Sequence, residues 1–186
     1  MTVELTAADV ATAFGRRTGP IATLATDAPA LAAACHAMAR RFHRGGRLLA
    51  FGTGCAAADA AHVVVEFVHP VIIGKRALPG LSLPGGPAGF ATELELFGEP
   101  EDIALAIAAD GGDAGLADAL AVARERGLLT VALLGGGEGA VDPGGLDHVI
   151  VVHSADPRVV REAHVTAYHV LWELVHVFLD APEALA

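Results

Sequence analysis

Three side chains that could bind a metal ion or move protons share one helical stretch, FGTGCAAADAAHVVVEFVHP at 51–70. A helix should begin near residue 56 and end at the final proline, which removes a backbone donor. Helical residues four and seven apart share a face, so His62, Glu66 and His69 would lie along one side. Imidazole and carboxylate groups in this order are typical of a metal site or an acid–base site.

Isolated His and Glu residues on a helix are more often solvated surface than functional groups. The neighbours of Glu66 argue against that reading, because the residues at 63–65 and 67–68 are all Val or Phe. A carboxylate in such surroundings is usually paired, coordinated or functional. The pattern therefore favours a functional role for Glu66.

Alternating helical and buried-strand patterns must position these groups. Helical spacing appears at 6–14, 28–42, 114–126 and 158–179, and short apolar runs that predict buried strands lie at 47–52, 102–108, 128–134 and 148–152. This alternation with short glycine turns predicts an α/β fold with a mainly parallel sheet. Ligands of such sheets bind at the carboxyl ends of strands, where the glycine turns near 52–54 and 111–112 lie.

The last predicted helix, at 158–179, is apolar almost all round and carries His164, His169 and His176. Such a helix must be buried, either in the core or between subunits. The chain of 186 residues fits a single domain at 1–186, with N-terminal helices at 6–44, a sheet with helices at 47–152, and this C-terminal helix. A mean hydropathy of +0.51 also predicts a homo-oligomer that covers apolar surface.

The net charge of −10 argues against nucleic-acid and anionic-membrane partners. The basic cluster Arg40, Arg41, His43, Arg44 and Arg47 is placed at a helix C-terminus, where cations complement the helix dipole. We find no signal peptide and no apolar run that could cross a bilayer, so we expect a cytoplasmic protein. In that compartment Cys35 and Cys55 should be free, with Cys35 in the core and Cys55 at a helix N-terminus.

Two motifs resemble those of a known family. GTGCAAADAAHVVVE at 52–66 resembles the GNGGSxxDAxHxxxE signature of the phosphoheptose isomerases, which have the sugar isomerase (SIS) fold, and REAHVTAYH at 161–169 resembles their QExHxxxxH. The resemblance continues through 103–113, ARERG at 123–127 and the strand at 128–134, and it spans roughly 28–180. It implies a three-layer α/β/α SIS fold.

This resemblance also implies an activity and a site. The family interconverts aldose and ketose phosphates, as homotetramers that often carry zinc. By position it gives metal-binding or catalytic places to His62, Glu66 and His169, with Glu66 and His169 as the proton-transfer pair and Zn²⁺ or another divalent metal as cofactor. The family's fourth position, a glutamine, falls on Arg161, whose guanidinium cannot ligate a cation. At most three protein ligands and an open coordination position then remain.

The substrate, a sugar or sugar derivative, is expected against two loops and the adjacent helices, at Gly52, Thr53, Gly54, Cys55, Asp59, Asp110, Gly111, Asp113 and Arg161. The family holds phosphate with serines, and the matching positions here are Ala56, Ala108, Ala109, Asp110 and Asp113. A carboxylate about 4 Å from a phosphate costs roughly 4 kcal/mol at an effective dielectric constant of about 20. We therefore predict an altered substrate, although Asp113 also fits the ordinary role of a helix N-cap.

Two other functions fit the same residues. Loss of the phosphate serines is also expected of a non-catalytic SIS scaffold or regulatory protein, for which FVHPVIIGKRALP at 67–79 is a candidate contact surface. A metal-handling accessory protein could use His62, Glu66, His69 and Cys55 as transient ligands. The sequence leaves both alternatives open.

Overall fold

A computed structural model describes residues 5–185 of the chain, so the outermost residues of the predicted domain, 1–4 and 186, lie outside the described part. Its helices are α1 (Ala7–Thr26), α2 (Ala28–His43), α3 (Ala56–Val68), α4 (Phe90–Phe97), α5 (Ala114–Glu125) and α6 (Pro157–Leu179). Its strands are β1 (Leu48–Gly52), β2 (Gly80–Ser82), β3 (Ile103–Ala108), β4 (Leu129–Gly135) and β5 (His148–Val152). Short 3₁₀ turns lie at Pro143–Gly145 and Pro182–Leu185.

The five strands form one sheet in the order β2-β1-β3-β4-β5, and every pair is parallel. Every residue of β1, β3 and β4 is buried, as the continuous apolar runs of these strands require when both sheet faces are covered. The predicted parallel α/β sheet is confirmed. The segment after Pro70, which the sequence indicates only as extended pieces, contributes the short edge strand β2.

Helices cover both faces of the sheet in three layers. On one face, α2, α3 and α6 pack against inward side chains such as Leu48, Ile103 and Val131. On the other face, α4 and α5 pack against Leu49, Phe51 and their neighbours. The predicted three-layer α/β/α architecture is therefore confirmed.

Two helices differ from the sequence prediction. The prediction is wrong about the first helix, because α1 continues past residue 14 to Thr26 and passes through Pro20. Its start is fixed by Thr6 and Asp9, whose side chains each accept the other's backbone N–H. The prediction also lacks α4, a helix of eight residues that buries only Phe90 and Leu94, too few positions to establish a period.

The long C-terminal helix α6 is buried as predicted, with ten of its residues in the interior. It packs on α2 and α3 and so closes one face of the sheet. Among the helices of residues 5–185, none combines the length and apolarity needed to cross a membrane.

The basic cluster at the end of α2 has a structural role. Arg47 Nη2 lies 2.6 Å from Asp102 Oδ2, a carboxylate that is 2% exposed, and Arg44 Nη1 lies 3.4 Å from Glu101 Oε2. Arg41 donates to the carbonyls of Pro100 and Gly127. These contacts join the end of α2 to the turns before β3 and β4.

His164 is expected to make stability depend on pH. It lies fully buried in α6, and this burial lowers its pKa, which the nearby Leu134 carbonyl and Asp59 carboxylate only partly offset. With a folded-state pKa below the unfolded value of about 6.5, the unfolded chain binds more protons, so stability is lost as pH falls below that value. One such group changes the free energy of unfolding by up to about 1.4 kcal/mol per pH unit.

We expect the variant His164→Leu to show a shallower fall in the free energy of unfolding between pH 7 and pH 5 than the wild type. Urea denaturation at several pH values measures this slope. His43→Gln, which changes an exposed histidine, is the matched control and should keep the wild-type slope. An unchanged slope in His164→Leu would show that another group causes the acid sensitivity.

Candidate functional site

The turn between β1 and α3 sets where the site helix begins. A Cβ at Gly52 would lie 2.7 Å from the carbonyl oxygen of Ala56, and Gly54 has a φ of +56°. Only glycine fits the first position, and glycine is strongly favoured at the second. The turn brings α3 directly off the carboxyl end of β1, as the sequence predicts.

His62 and Glu66 of α3 meet His169 of α6. Glu66 Oε1 lies 3.0 Å from His62 Nε2 and 3.7 Å from His169 Nε2, and the centroids of the two imidazole rings are 5.6 Å apart. The side chain of Glu66 is 14% exposed, whereas each histidine is nearly half exposed, so the carboxylate lies beneath both rings. The structure thus brings together the three residues that the sequence assigns to the metal and proton-transfer site.

His69 does not join this group. The helix ends at Val68, and His69 is its C-cap with a non-helical backbone, so His69 lies just beyond the helix that carries His62 and Glu66. Within residues 5–185, the one group of three or more His, Cys, Asp or Glu ligand atoms close enough to hold an ion is His62, Glu66 and His169. Neither His69 nor Cys55 belongs to it.

The donor set fits a divalent metal. Two imidazole nitrogens and one carboxylate oxygen are ordinary ligands of Zn²⁺, and ligand atoms about 2.0–2.1 Å from a tetrahedral ion are about 3.3 Å from one another. The distances of 3.0 and 3.7 Å from Glu66 Oε1 to the two imidazoles lie on either side of that value, and the three ligand atoms all lie within 4.8 Å of one another. Three donors leave room for a further ligand, which is the pattern of catalytic sites.

Tyr168 is a site residue that sequence reasoning misses. Its hydroxyl lies 2.7 Å from His62 Nδ1, and its ring is edge-on to both His62 and His169, at centroid distances of 5.5 and 5.0 Å. Burial, followed by the charges of Asp59 and Glu66, raises the pKa of Tyr168 to about 12, so the phenol keeps its proton at neutral pH. In the sequence this residue reads only as part of the apolar face of its helix.

Arg161 and Asp59, both predicted to contact substrate, contact each other. Arg161 Nε and Nη2 donate to the two carboxylate oxygens of Asp59 at 2.8 and 2.9 Å. The side chain of Asp59 is 7% exposed and that of Arg161 is 36% exposed. These hydrogen bonds raise the pKa of Arg161 well above its ordinary value. A bidentate ion pair therefore occupies the place of the family's glutamine and joins α6 to α3.

In the loop between β3 and α5, the aspartate side chains accept hydrogen bonds from nearby backbone amides. Asp113 Oδ1 accepts from the Leu116 amide at 2.9 Å and is the N-cap of α5, which confirms the ordinary role considered for it. Asp110 Oδ1 accepts from the Gly112 amide, also at 2.9 Å. Gly111 packs against the backbone at 137–139, where a Cβ would lie 2.6 Å from Gly139 N. The amide donors of Gly112 and Leu116 are thus already paired with carboxylates of the loop.

The first loop is open to solvent. Gly54 and Cys55 are exposed and Thr53 is partly exposed, while Ala56 N donates to the Thr53 carbonyl and starts the helix. Both cysteines are free, as expected. Cys35 is buried in α2, and burial raises the pKa of its thiol to about 12.

Comparison with known proteins identifies the class to which this fold and site belong. The sequence profile of the SIS domain matches residues 21–135, more than half of the chain. The chain belongs to the SIS domain family, and within it to the proteins that resemble phosphoheptose isomerases.

Similar proteins support this assignment along nearly the whole chain. A phosphoheptose isomerase of Pelobacter propionicus is 33% identical over 93% of this chain and 98% of its own length. One from Chlorobaculum tepidum is 34% identical over 80% of this chain and 78% of its own. The solved structure of a phosphoheptose isomerase from Francisella tularensis superposes with a TM-score of 0.82 at 24% identity, over 92% of this chain and 99% of that one.

The Asp59–Arg161 pair should contribute to stability. Arg161→Met leaves a buried carboxylate without its partner, and we expect it to lower the free energy of unfolding by about 1–3 kcal/mol. Urea denaturation measures this loss. Arg158→Met is the matched control one turn earlier, because its exposed side chain pairs with Asp156 at the surface and its removal should cost less than about 1 kcal/mol. Equal losses in the two variants would contradict the role given to the Asp59–Arg161 pair.

Proposed function

We propose that this protein is a metal-dependent aldose–ketose isomerase whose substrate differs from heptose 7-phosphate. The convergence of His62, Glu66 and His169 from two helices carries this proposal. These residues keep the donor types and positions of the family's site, and phosphoheptose isomerases are among the proteins that the chain resembles. A scaffolding role without catalysis has no stated need for this set of groups.

The three residues would hold Zn²⁺ or another divalent ion, which when bound supplies a Lewis acid that polarises the substrate carbonyl and acidifies the neighbouring C–H bond. Glu66 and His169 then move the proton between the two carbon atoms. Coordination of a cation would weaken Glu66 and His169 alike as bases, and of the two the nearly half-exposed His169 is the more accessible to a substrate. His62 lies on the other side of Glu66 and completes the set.

The substrate loops support a change of ligand. A sugar phosphate would have to displace the carboxylates of Asp110 and Asp113 from the amides of Gly112 and Leu116, or lie beside those charges. Each like-charge pair at about 4 Å costs roughly 4 kcal/mol at an effective dielectric constant of about 20. We therefore propose a neutral or cationic hydroxycarbonyl compound, in the class of sugars and sugar derivatives, as the substrate.

A homo-oligomer, a tetramer or a dimer, completes the proposal. Large apolar side chains are exposed on α1, where Phe14 is 72% exposed, and on the 69–79 segment, where Val71 is 78% exposed and Ile73 fully exposed. Contact between subunits would remove this surface from water. A cytoplasmic location, and the absence of nucleic-acid and membrane partners, stay predictions from the sequence.

Metal content and turnover test the function together. We expect the purified wild type to contain close to one divalent ion per chain and to isomerise an unphosphorylated sugar, and His169→Ala to lose both, because one of three ligands is removed. Elemental analysis and an aldose–ketose assay measure these properties. His43→Ala, which changes an exposed histidine of α2, is the control and should retain both.

Each other result has a distinct meaning. Metal without turnover of any sugar would favour the metal-handling alternative. Neither metal nor turnover would contradict the proposal and favour a regulatory or scaffolding role, with the 67–79 segment as the first contact surface to examine.

Replacing Asp113, the N-cap of α5, tests whether the substrate differs from heptose 7-phosphate. Asp113→Ser removes the charge but keeps a residue that caps helices well. We expect calorimetry to detect no binding of heptose 7-phosphate to the wild type at millimolar concentration, and to detect binding to the variant at the same concentration. Asp118→Ser removes an exposed charge from the same helix without touching the loop and should behave like the wild type. Millimolar or tighter binding by the wild type would exclude the altered substrate.

A further inference from the structure

The hydroxyl of Tyr168 is a buried polar group that the proposed reaction does not use. The tyrosine has no exposed surface, yet its oxygen lies at the edge of the His62, Glu66 and His169 group, 2.7 Å from His62 Nδ1. A buried hydroxyl needs a hydrogen-bond partner, and the partner here is a ring nitrogen of His62, a residue of the proposed metal site. We propose that Tyr168 is the positioning residue of this site: it holds the His62 ring so that Nε2 faces Glu66.

The ring of His62 needs such support because little else fixes it. Its side chain is 46% exposed, and apart from Tyr168 its one hydrogen bond among the described residues is to Glu66, four residues away on the same helix. Exposed side chains of this kind change rotamer readily. A hydrogen bond from the other ring nitrogen to a group fixed in the core determines both the plane of the ring and the direction of Nε2.

Tyr168 is itself rigidly placed. It lies in the main hydrophobic cluster between α3, α6 and the sheet, with Phe67 and Leu171 among the members. Its ring is edge-on to His62 at an interplanar angle of 86° and to His169 at 70°. One aromatic ring therefore packs against both imidazoles of the site and sets their separation.

A phenol suits this place because it can either donate or accept a hydrogen bond. When Nε2 of His62 carries the proton and donates to Glu66, the hydroxyl donates to Nδ1. When Nε2 offers its lone pair to a cation, Nδ1 carries the proton and donates a hydrogen bond to the phenol oxygen. The ring holds one proton in both arrangements, so both keep the Tyr168 contact. A backbone carbonyl at the same place could serve only the second arrangement.

The inference rests on the proposed function for its consequence, metal affinity, but not for its geometry. Tyr168→Phe removes a single oxygen and keeps the buried ring, and Thr166→Val removes a hydroxyl from the same helix at a position outside the metal-site group. Competition with a chelator gives the Zn²⁺ affinity of the metal-free proteins. We expect Tyr168→Phe to bind Zn²⁺ about 10- to 100-fold more weakly than the wild type, and Thr166→Val to match the wild type.

A second measurement detects the hydrogen bond of the His62 ring in the absence of metal. In ¹⁵N spectra of the metal-free protein, the Nδ1 resonance of His62 should show the shift of a nitrogen that accepts a hydrogen bond, and this shift should be lost in Tyr168→Phe and kept in Thr166→Val. Thermal unfolding shows whether Tyr168→Phe retains the fold. A purely structural role for the hydroxyl would lower the melting temperature and leave the ring resonance unchanged.

The outcomes separate the two proposals. Equal Zn²⁺ affinity of the wild type and Tyr168→Phe would overturn the positioning role while leaving the proposed function intact. If the wild type binds no Zn²⁺, the proposed function fails, and the ¹⁵N spectrum alone decides the role of Tyr168. An unchanged Nδ1 resonance would then overturn it, and a lost shift would support it.

Discussion

The contact between α3 and α6 is the constraint on which the site depends. The two helices are far apart in the chain, and both pack on the same face of the sheet. Along their contact, the ion pair of Asp59 with Arg161 is followed by the hydrogen bond of His62 with Tyr168, and then by the approach of Glu66 to His169. Each helix supplies one partner of every pair, so a small rotation of either helix would separate all three.

The fold could be predicted because its elements carry strong local patterns. Strands buried on both faces read as continuous apolar runs, and glycine turns mark their carboxyl ends. The sequence patterns are weak in the two helices where the structure differs from the prediction. Helix α4 buries only two side chains, and α1 buries none of its residues, so neither has a long apolar face to read. The internal Pro20 of α1 is a normal reason to end a helix, and here the helix continues beyond it.

The candidate site could be predicted only in part. His62 and Glu66 share one helix face, so their spacing brings them together, whereas His169 lies on another helix and only the resemblance to a family motif places it at the same site. The sequence gives no signal that Arg161 pairs with Asp59, because 102 positions separate them and both residue types are common at surfaces. Tyr168 shows the same limit, since a tyrosine in an apolar helix face reads as core until the position of its hydroxyl is known.

The pairing of Arg161 with Asp59 has a consequence for how this chain could have arisen. A glutamine codon becomes an arginine codon by one nucleotide substitution, and the family signature that the chain resembles already carries an aspartate at the position of Asp59. An arginine introduced there would meet a buried carboxylate 2.8 Å away and would be neutralised at once. The exchange of glutamine for arginine at this position therefore needs no second substitution to neutralise the new charge.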